Sequence, residues 1–105
     1  MRTHIRSGEL QTEEMFPGVT RQIIAYDSDI MMVKVYFDKG AIGYKHRHPH
    51  QQISYLLSGK FEVDIAGNIE ILQANDGFII PSNLDHELKC LEEGVIIDTN
   101  GFLFI

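Results

Sequence analysis

Imidazoles recur at every second position in His46-Arg47-His48-Pro49-His50, in a chain of 105 residues that holds only five histidines. A fourth, His86, follows the apolar run Phe78-Ile79-Ile80 and the corner Pro81-Ser82-Asn83. Side chains two apart on an extended strand point the same way, and neutral imidazole is the commonest metal ligand among side chains. The chemistry this pattern offers is coordination of one ion.

Ligand atoms on one metal lie about 2 Å from it, so their residues must be close in space. His46 and His48, if both in a strand, are about 6.6 Å apart along the chain and reach the same ion. Gln52 would be about 20 Å from His46 on a straight strand, so it joins only if the chain bends back. Pro49 supplies that bend, since it cannot donate to a sheet ladder. His86 comes from a neighbouring strand. The expected ligand set is therefore His46, His48, Gln52 and His86. It is neutral and leaves the ion's charge uncompensated, which makes a strong Lewis acid and a seat for an anionic, oxygen-rich ligand. One divalent transition metal (Ni, Fe, Zn or Mn) suits imidazole donors, and the absence of a carboxylate argues against Ca and Mg.

The plainer alternative is a histidine-rich surface loop that binds metal adventitiously, and the second segment with His86 is what weighs against it. His50, about 13 Å from His46 if the strand stays extended, is too far to share the ion. It should face either substrate or solvent. His4 sits in a polar segment and should be solvated. Cys90 shares a strand side with His86 but is about 13 Å from it, so a small buried thiol is expected rather than a nucleophile. Met15, Met31 and Met32 should fill core gaps, and Glu92-Glu93 should form a solvated turn. Asp98 ends the apolar run Val95-Ile96-Ile97 and is either a surface cap or a site residue.

These groups must be positioned by short strands. Residues 19–26, 31–37, 52–57, 61–65, 69–73, 78–80, 86–91 and 95–98 are rich in Ile, Val, Phe and Tyr, as strands are. Phe61-Glu62-Val63-Asp64-Ile65 alternates cleanly, with one wet and one packed face. Turn signals separate the runs, among them Lys39-Gly40, Ser58-Gly59, Gly67-Asn68, Asp76-Gly77 and Glu93-Gly94. Such spacing predicts an all-β, single-domain barrel or jelly roll over residues 1–105.

The net charge of −6 argues against a nucleic-acid surface, which needs clustered Lys and Arg. No apolar run reaches the length of a membrane helix, and Met1-Arg2-Thr3-His4-Ile5 lacks a signal-peptide core. A single cysteine fits a reducing cytoplasm.

The residues also carry a resemblance. Gly40, His46-Arg47-His48, Gln52 and Gly59, separated by five, three and six residues, resemble the first motif of the cupin family, with Gln in place of the usual Glu. Asn75, Pro81-Ser82-Asn83, His86 and Cys90, separated by five, two and three residues, resemble the second. Asn75 and Asn83 stand where Gly is usual, and Cys90 where Asn is usual; Asn tolerates left-handed backbone well enough to keep both turns. From about residue 18 to residue 98 the chain is similar to the KdgF group of pectin degradation proteins. Segments such as Val19-Thr20-Arg21, Phe37-Asp38-Lys39-Gly40-Ala41 and Ser58-Gly59-Lys60-Phe61-Glu62 carry that similarity.

The resemblance implies a double-stranded β-helix barrel, usually a homodimer, with a metal on His46, His48, Gln52 and His86. It implies conversion of 4,5-unsaturated uronates from pectin or alginate to linear keto sugar acids, with Asp98 as general acid or base. Beside a bound cation Asp98 is expected to be charged near neutral pH. A metal-dependent dioxygenase and a non-enzymatic sugar-acid-binding cupin are the rival classes. The chain departs from the group after Asp98: Asn100 replaces an aromatic and no Arg follows. Carboxylate binding is then left to the metal and to Lys45, Arg47 or Lys60, and the apolar tail should pack as an altered strand end.

Overall fold

In a computed structural model that describes residues 2–101, a 3-10 turn (Ser7–Glu9) precedes eight strands. These are β1 (Glu13–Phe16), β2 (Val19–Tyr26), β3 (Ile30–Phe37), β4 (Ile42–His46), β5 (Gln52–Ile65), β6 (Asn68–Gln73), β7 (Gly77–Ile80) and β8 (His86–Gly101). All pairings are antiparallel, in the order β1-β2-β3-β8-β5-β6, with β4 also on β8 and β7 also on β5. The all-β jelly-roll expectation holds.

Two corrections concern the long strands. The runs at 52–57 and 61–65 are halves of one strand, β5, and those at 86–91 and 95–98 are halves of β8. β5 and β8 pair from Gln52↔Asn100 to Ile65↔His86, with irregular register between Leu56 and Phe61. Their first and second halves therefore take different neighbours within one eight-stranded sheet. The early half of β5 and the late half of β8 join β7 and β3, whereas the late half of β5 and the early half of β8 join β6 and β4. Glu92-Glu93 is exposed, but it lies at this bend inside β8 rather than in a turn. β1 and β4 are additional strands that hydrophobic periodicity did not announce.

The bend depends on a close backbone crossing. Gly59 has φ of +89°, and a Cβ there would stand 2.6 Å from Gly94 Cα and 2.7 Å from Glu93 O. A real Cβ tolerates neither the left-handed conformation nor those contacts. The amide of Val95 donates to Ser58 Oγ at 3.1 Å, pinning the same corner. Asn75 and Asn83 do adopt positive φ, 77° and 63°.

Inside the barrel, Val19, Val33, Val35, Phe37, Leu56, Phe61, Val63 and Ile96 form the apolar core. Phe37 meets Phe61 edge-on with centroids 5.2 Å apart. Leu56 and Phe61 are fully buried, and burial of each such side chain contributes roughly 1.5–3 kcal/mol. Cys90 is 2 % exposed and belongs to this core. Burial pushes its thiol up, and the nearby Asp38 and Glu93 carboxylates add to that, which disfavours the reactive thiolate. Met31 packs against the core, but Met15 and Met32 are exposed. His4 is exposed as expected.

Gly59→Ala should destabilise the protein by about 2 kcal/mol or more, because strain and overpacking act together. The shift in urea midpoint measures it. An alanine variant as stable as wild type would refute the crossing as the determinant of the bend.

Candidate metal centre

His46 ends β4 and His86 opens β8, where the two are register partners. His86 is also the partner of Ile65 on β5. Flanked on both sides, it is only 4 % exposed. His48 is not in a strand: β4 stops at His46, and the chain bends at Pro49 and His50 before β5 begins. The alternation expected to align His46 with His48 is thus replaced by a loop. The loop still succeeds, since one nitrogen from each of His46, His48 and His86 lies within 4.8 Å of the others. Nitrogens about 2.1 Å from a common ion lie about 3–4 Å apart, so the three side chains are positioned to hold a metal ion.

Their orientation is set by the backbone. Nδ1 of His46 meets Tyr44 O at 2.9 Å, Nδ1 of His48 meets His50 O at 2.8 Å, and Nδ1 of His86 meets Leu84 O at 3.0 Å. A carbonyl only accepts, so each Nδ1 carries a proton, and in the neutral ring that leaves the lone pair on Nε2. This is the tautomer a metal needs, held by the contact that usually supports a ligating histidine. Burial, together with the neighbouring His46 and His48, depresses the basicity of His86, although its bond to Leu84 opposes the shift. The ring thus stays neutral more readily.

The same cavity is lined by Gln52 and Asp98, which are hydrogen-bonded to the buried Ser54. They project from the facing halves of β5 and β8, where Ser54 is the register partner of Asp98. Ser54 donates to Asp98 Oδ1 at 2.6 Å, and Gln52 Nε2 donates to Ser54 Oγ at 2.9 Å and more weakly to Asp98 Oδ1 at 3.3 Å. Both bonds of the Gln52 side chain use its nitrogen, which leaves Oε1 as a free oxygen donor. Asp98 is neither a strand end nor a surface cap, because β8 continues to Gly101. Burial pushes its carboxyl above the usual range, while the Ser54 and Gln52 hydrogen bonds and His48 pull it partly back. The protein alone therefore makes the charged form less favourable than in a free aspartate, and a cation beside it, as the expectation assumed, would favour that form.

His50 stacks flat on His48, with centroids 3.8 Å apart and planes within 4°. Desolvation and the neighbouring His48 lower its basicity, and a side-chain hydrogen bond with Asn100 raises it. It lines the cavity with Asn100, which is 7 % exposed. The cations expected to receive a carboxylate are elsewhere. Arg47 pairs with Asp85 at 2.7 Å and is well exposed, Lys45 is exposed, and Lys60 sits at the β5 bend. Among the described residues, the Arg or Lys that lines the cavity is Arg21 on β2. The apolar tail after Gly101 lies outside the described residues.

The chain belongs to the cupin family: residues 33–98 match the Cupin domain. It is 45% identical over 101 residues, 94% of this chain and 92% of the relative, to the pectin degradation protein KdgF of Dickeya dadantii (strain 3937). The solved structure of KdgF from Halomonas sp. superposes with a TM-score of 0.90 at 34% identity, covering 96% of this chain and 94% of that one. An RmlC-like cupin from Shewanella frigidimarina NCIMB 400 gives 0.91 at 38% identity, covering 95% and 91%. No helix among the described residues is long and apolar enough to cross a membrane.

The raised Asp98 carboxyl has a pH signature. A group whose folded pKa lies above its unfolded value costs nothing at low pH, where both states hold the proton. The cost grows as pH rises through the ordinary Asp range, where the unfolded chain ionises first. With chelator present, Asp98→Asn should therefore gain stability relative to wild type between about pH 3 and neutrality. Urea unfolding of both proteins across that range measures the difference. A constant or shrinking difference would contradict a raised carboxyl.

Proposed function

We propose that this protein is a cytoplasmic, metal-dependent cupin that opens the ring of a 4,5-unsaturated uronate derived from pectin or alginate. The observation that carries this reading is the cavity of about 290 Å³ that three ligand-ready imidazoles line together with a buried carboxyl. The likeness to proteins named for pectin degradation supports it. A cavity at the small end of the usual range suits one sugar ring rather than a polymer.

In this reading His46, His48 and His86 hold the ion through Nε2, and Gln52 through Oε1. A bound divalent ion supplies Lewis acidity for oxygens of the substrate. The net change is an isomerisation. The C1 hydroxyl loses a proton, the C1–O5 bond breaks, C4 gains a proton and C5 becomes a ketone, with neither oxidant nor water consumed. Asp98 moves that proton. Its two hydrogen bonds both end on Oδ1, leaving Oδ2 for the transfer, and burial lets the carboxyl hold a proton closer to neutral pH.

A second reading, sugar-acid binding without turnover, is favoured by buried Asn100, which stands where an aromatic was expected. Loss of the ultraviolet absorbance of 4,5-unsaturated galacturonate over metal-loaded protein separates the two. Turnover is expected from wild type. His86→Ala should lose bound metal in elemental analysis, and Asp98→Asn should keep the metal yet lose roughly 10²–10⁴-fold in rate. Full metal stoichiometry in the first variant would end the proposed ligand set; full rate in the second would end the role of Asp98.

We also propose that the chain forms a homodimer. The outer face of β5 and β7 exposes Ile53, Tyr55, Leu57 and Ile79, and contiguous apolar surface of this kind marks association sites. Light scattering should give about twice the 12.0 kDa chain mass, falling to the monomer value in Leu57→Lys. A monomeric wild type at micromolar concentration would rule this out.

A further inference from the structure

On β2, Val19, Arg21 and Ile23 share one side of the strand, and Val19 is 1 % exposed on the inside of the barrel. Arg21 is the register partner of Val35, which in turn opposes Ile96, which opposes Leu56. All three are buried core residues. An arginine in an otherwise apolar inward-facing row is out of place unless it has a partner or a task.

It has one partner. Arg21 Nε donates to Glu13 Oε1 at 2.6 Å, from the facing position on edge strand β1. Glu13 is half exposed, and so open a pair contributes little to stability. Among the described residues Nη1 and Nη2 make no hydrogen bond, yet Arg21 lines the cavity that holds His46, His48, His86 and Asp98. The neighbouring inward row runs Ile23, Val33, Asp98, Ser54. Arg21 is thus one row and two strands from Asp98, about 12 Å between Cα atoms. An arginine side chain spans about half of that. The gap that remains fits the carboxylate end of a sugar acid.

We propose that Arg21 is the residue that binds the substrate's carboxylate, with Nη1 and Nη2 gripping both oxygens while Glu13 holds Nε. This rests on the uronate reading of the site. A planar guanidinium matches a carboxylate in a way that a lysine cannot. Fixing Nε from outside the cavity aims the remaining fork inward. The cation that a KdgF-like chain was expected to carry after Asp98 is here supplied by β2.

Calorimetric titration of metal-loaded protein with galacturonate and with galactose tests the assignment. Wild type should prefer galacturonate by about 10- to 100-fold. Arg21→Gln should lose most of that preference while galactose affinity, metal stoichiometry and melting temperature stay at wild-type values. Arg21→Lys should weaken galacturonate binding several-fold and serves if the glutamine variant fails to fold. Retention of the wild-type preference in Arg21→Gln, or in Arg21→Lys alone, overturns the role of Arg21 and leaves the uronate reading standing. A wild type that does not favour the acid over the neutral sugar overturns both.

Discussion

The antiparallel ladder between β5 and β8 is the constraint on which the rest of the molecule hangs. It runs from Gln52↔Asn100 to Ile65↔His86 without separating into two pairs of strands. It bends where Gly59 passes Gly94. Thus one strand, β8, delivers both His86, at its start, and Asp98, near its end, to the same cavity. The ligand-bearing loop after β4 is then placed by the β4–β8 pairing that ends with His46 opposite His86, and by the Asn83 amide, which donates to His48 O at 2.8 Å. Remove the crossing and His86 and Asp98 lose their common reference.

The electrostatics of the cavity follow from what that geometry buries. The three converging imidazoles each direct Nδ1 to a backbone carbonyl, and the carboxyl is pushed toward the protonated form by burial. Arg21 adds a positive charge at the cavity's other side. The protein wall is therefore poor in negative charge, although the chain as a whole carries −6. Such a site favours an anion without requiring a basic surface, since acidic groups such as Glu13, Glu92 and Glu93 are exposed on the outside.

The three converging histidines were legible in the sequence because two segments with the right residue types sat at compatible spacings. The path that joins them was not. A period of two predicted a strand through His48, whereas β4 ends at His46; the bend at Pro49 was the part of the path that the sequence did announce. Ser58-Gly59 and Glu93-Gly94 did mark changes of direction, but glycine at a bulge and glycine in a turn look alike from sequence. β1 was hidden because Glu13-Glu14-Met15-Phe16 does not alternate, its burial pattern being almost uniformly exposed. Arg21 was overlooked because its strand was read for its apolar members. The signal was present, since Val19, Arg21 and Ile23 share a face, and a charge between two apolar residues on a buried face is the informative exception.

The two halves of the site differ in how much sequence change they can absorb. The histidine rings are held by the carbonyl oxygens of residues 44, 50 and 84, and every amino acid carries a carbonyl. As supports for the rings, these positions ask only that the backbone path survive, although the His50 side chain has its own contact in the stack on His48. Asp98 is held instead by a hydroxyl and an amide, from Ser54 and Gln52, which few residue types can replace. Evolution can therefore change the backbone supports of the histidines cheaply, whereas a change to the carboxyl's supports must arrive as a coordinated set.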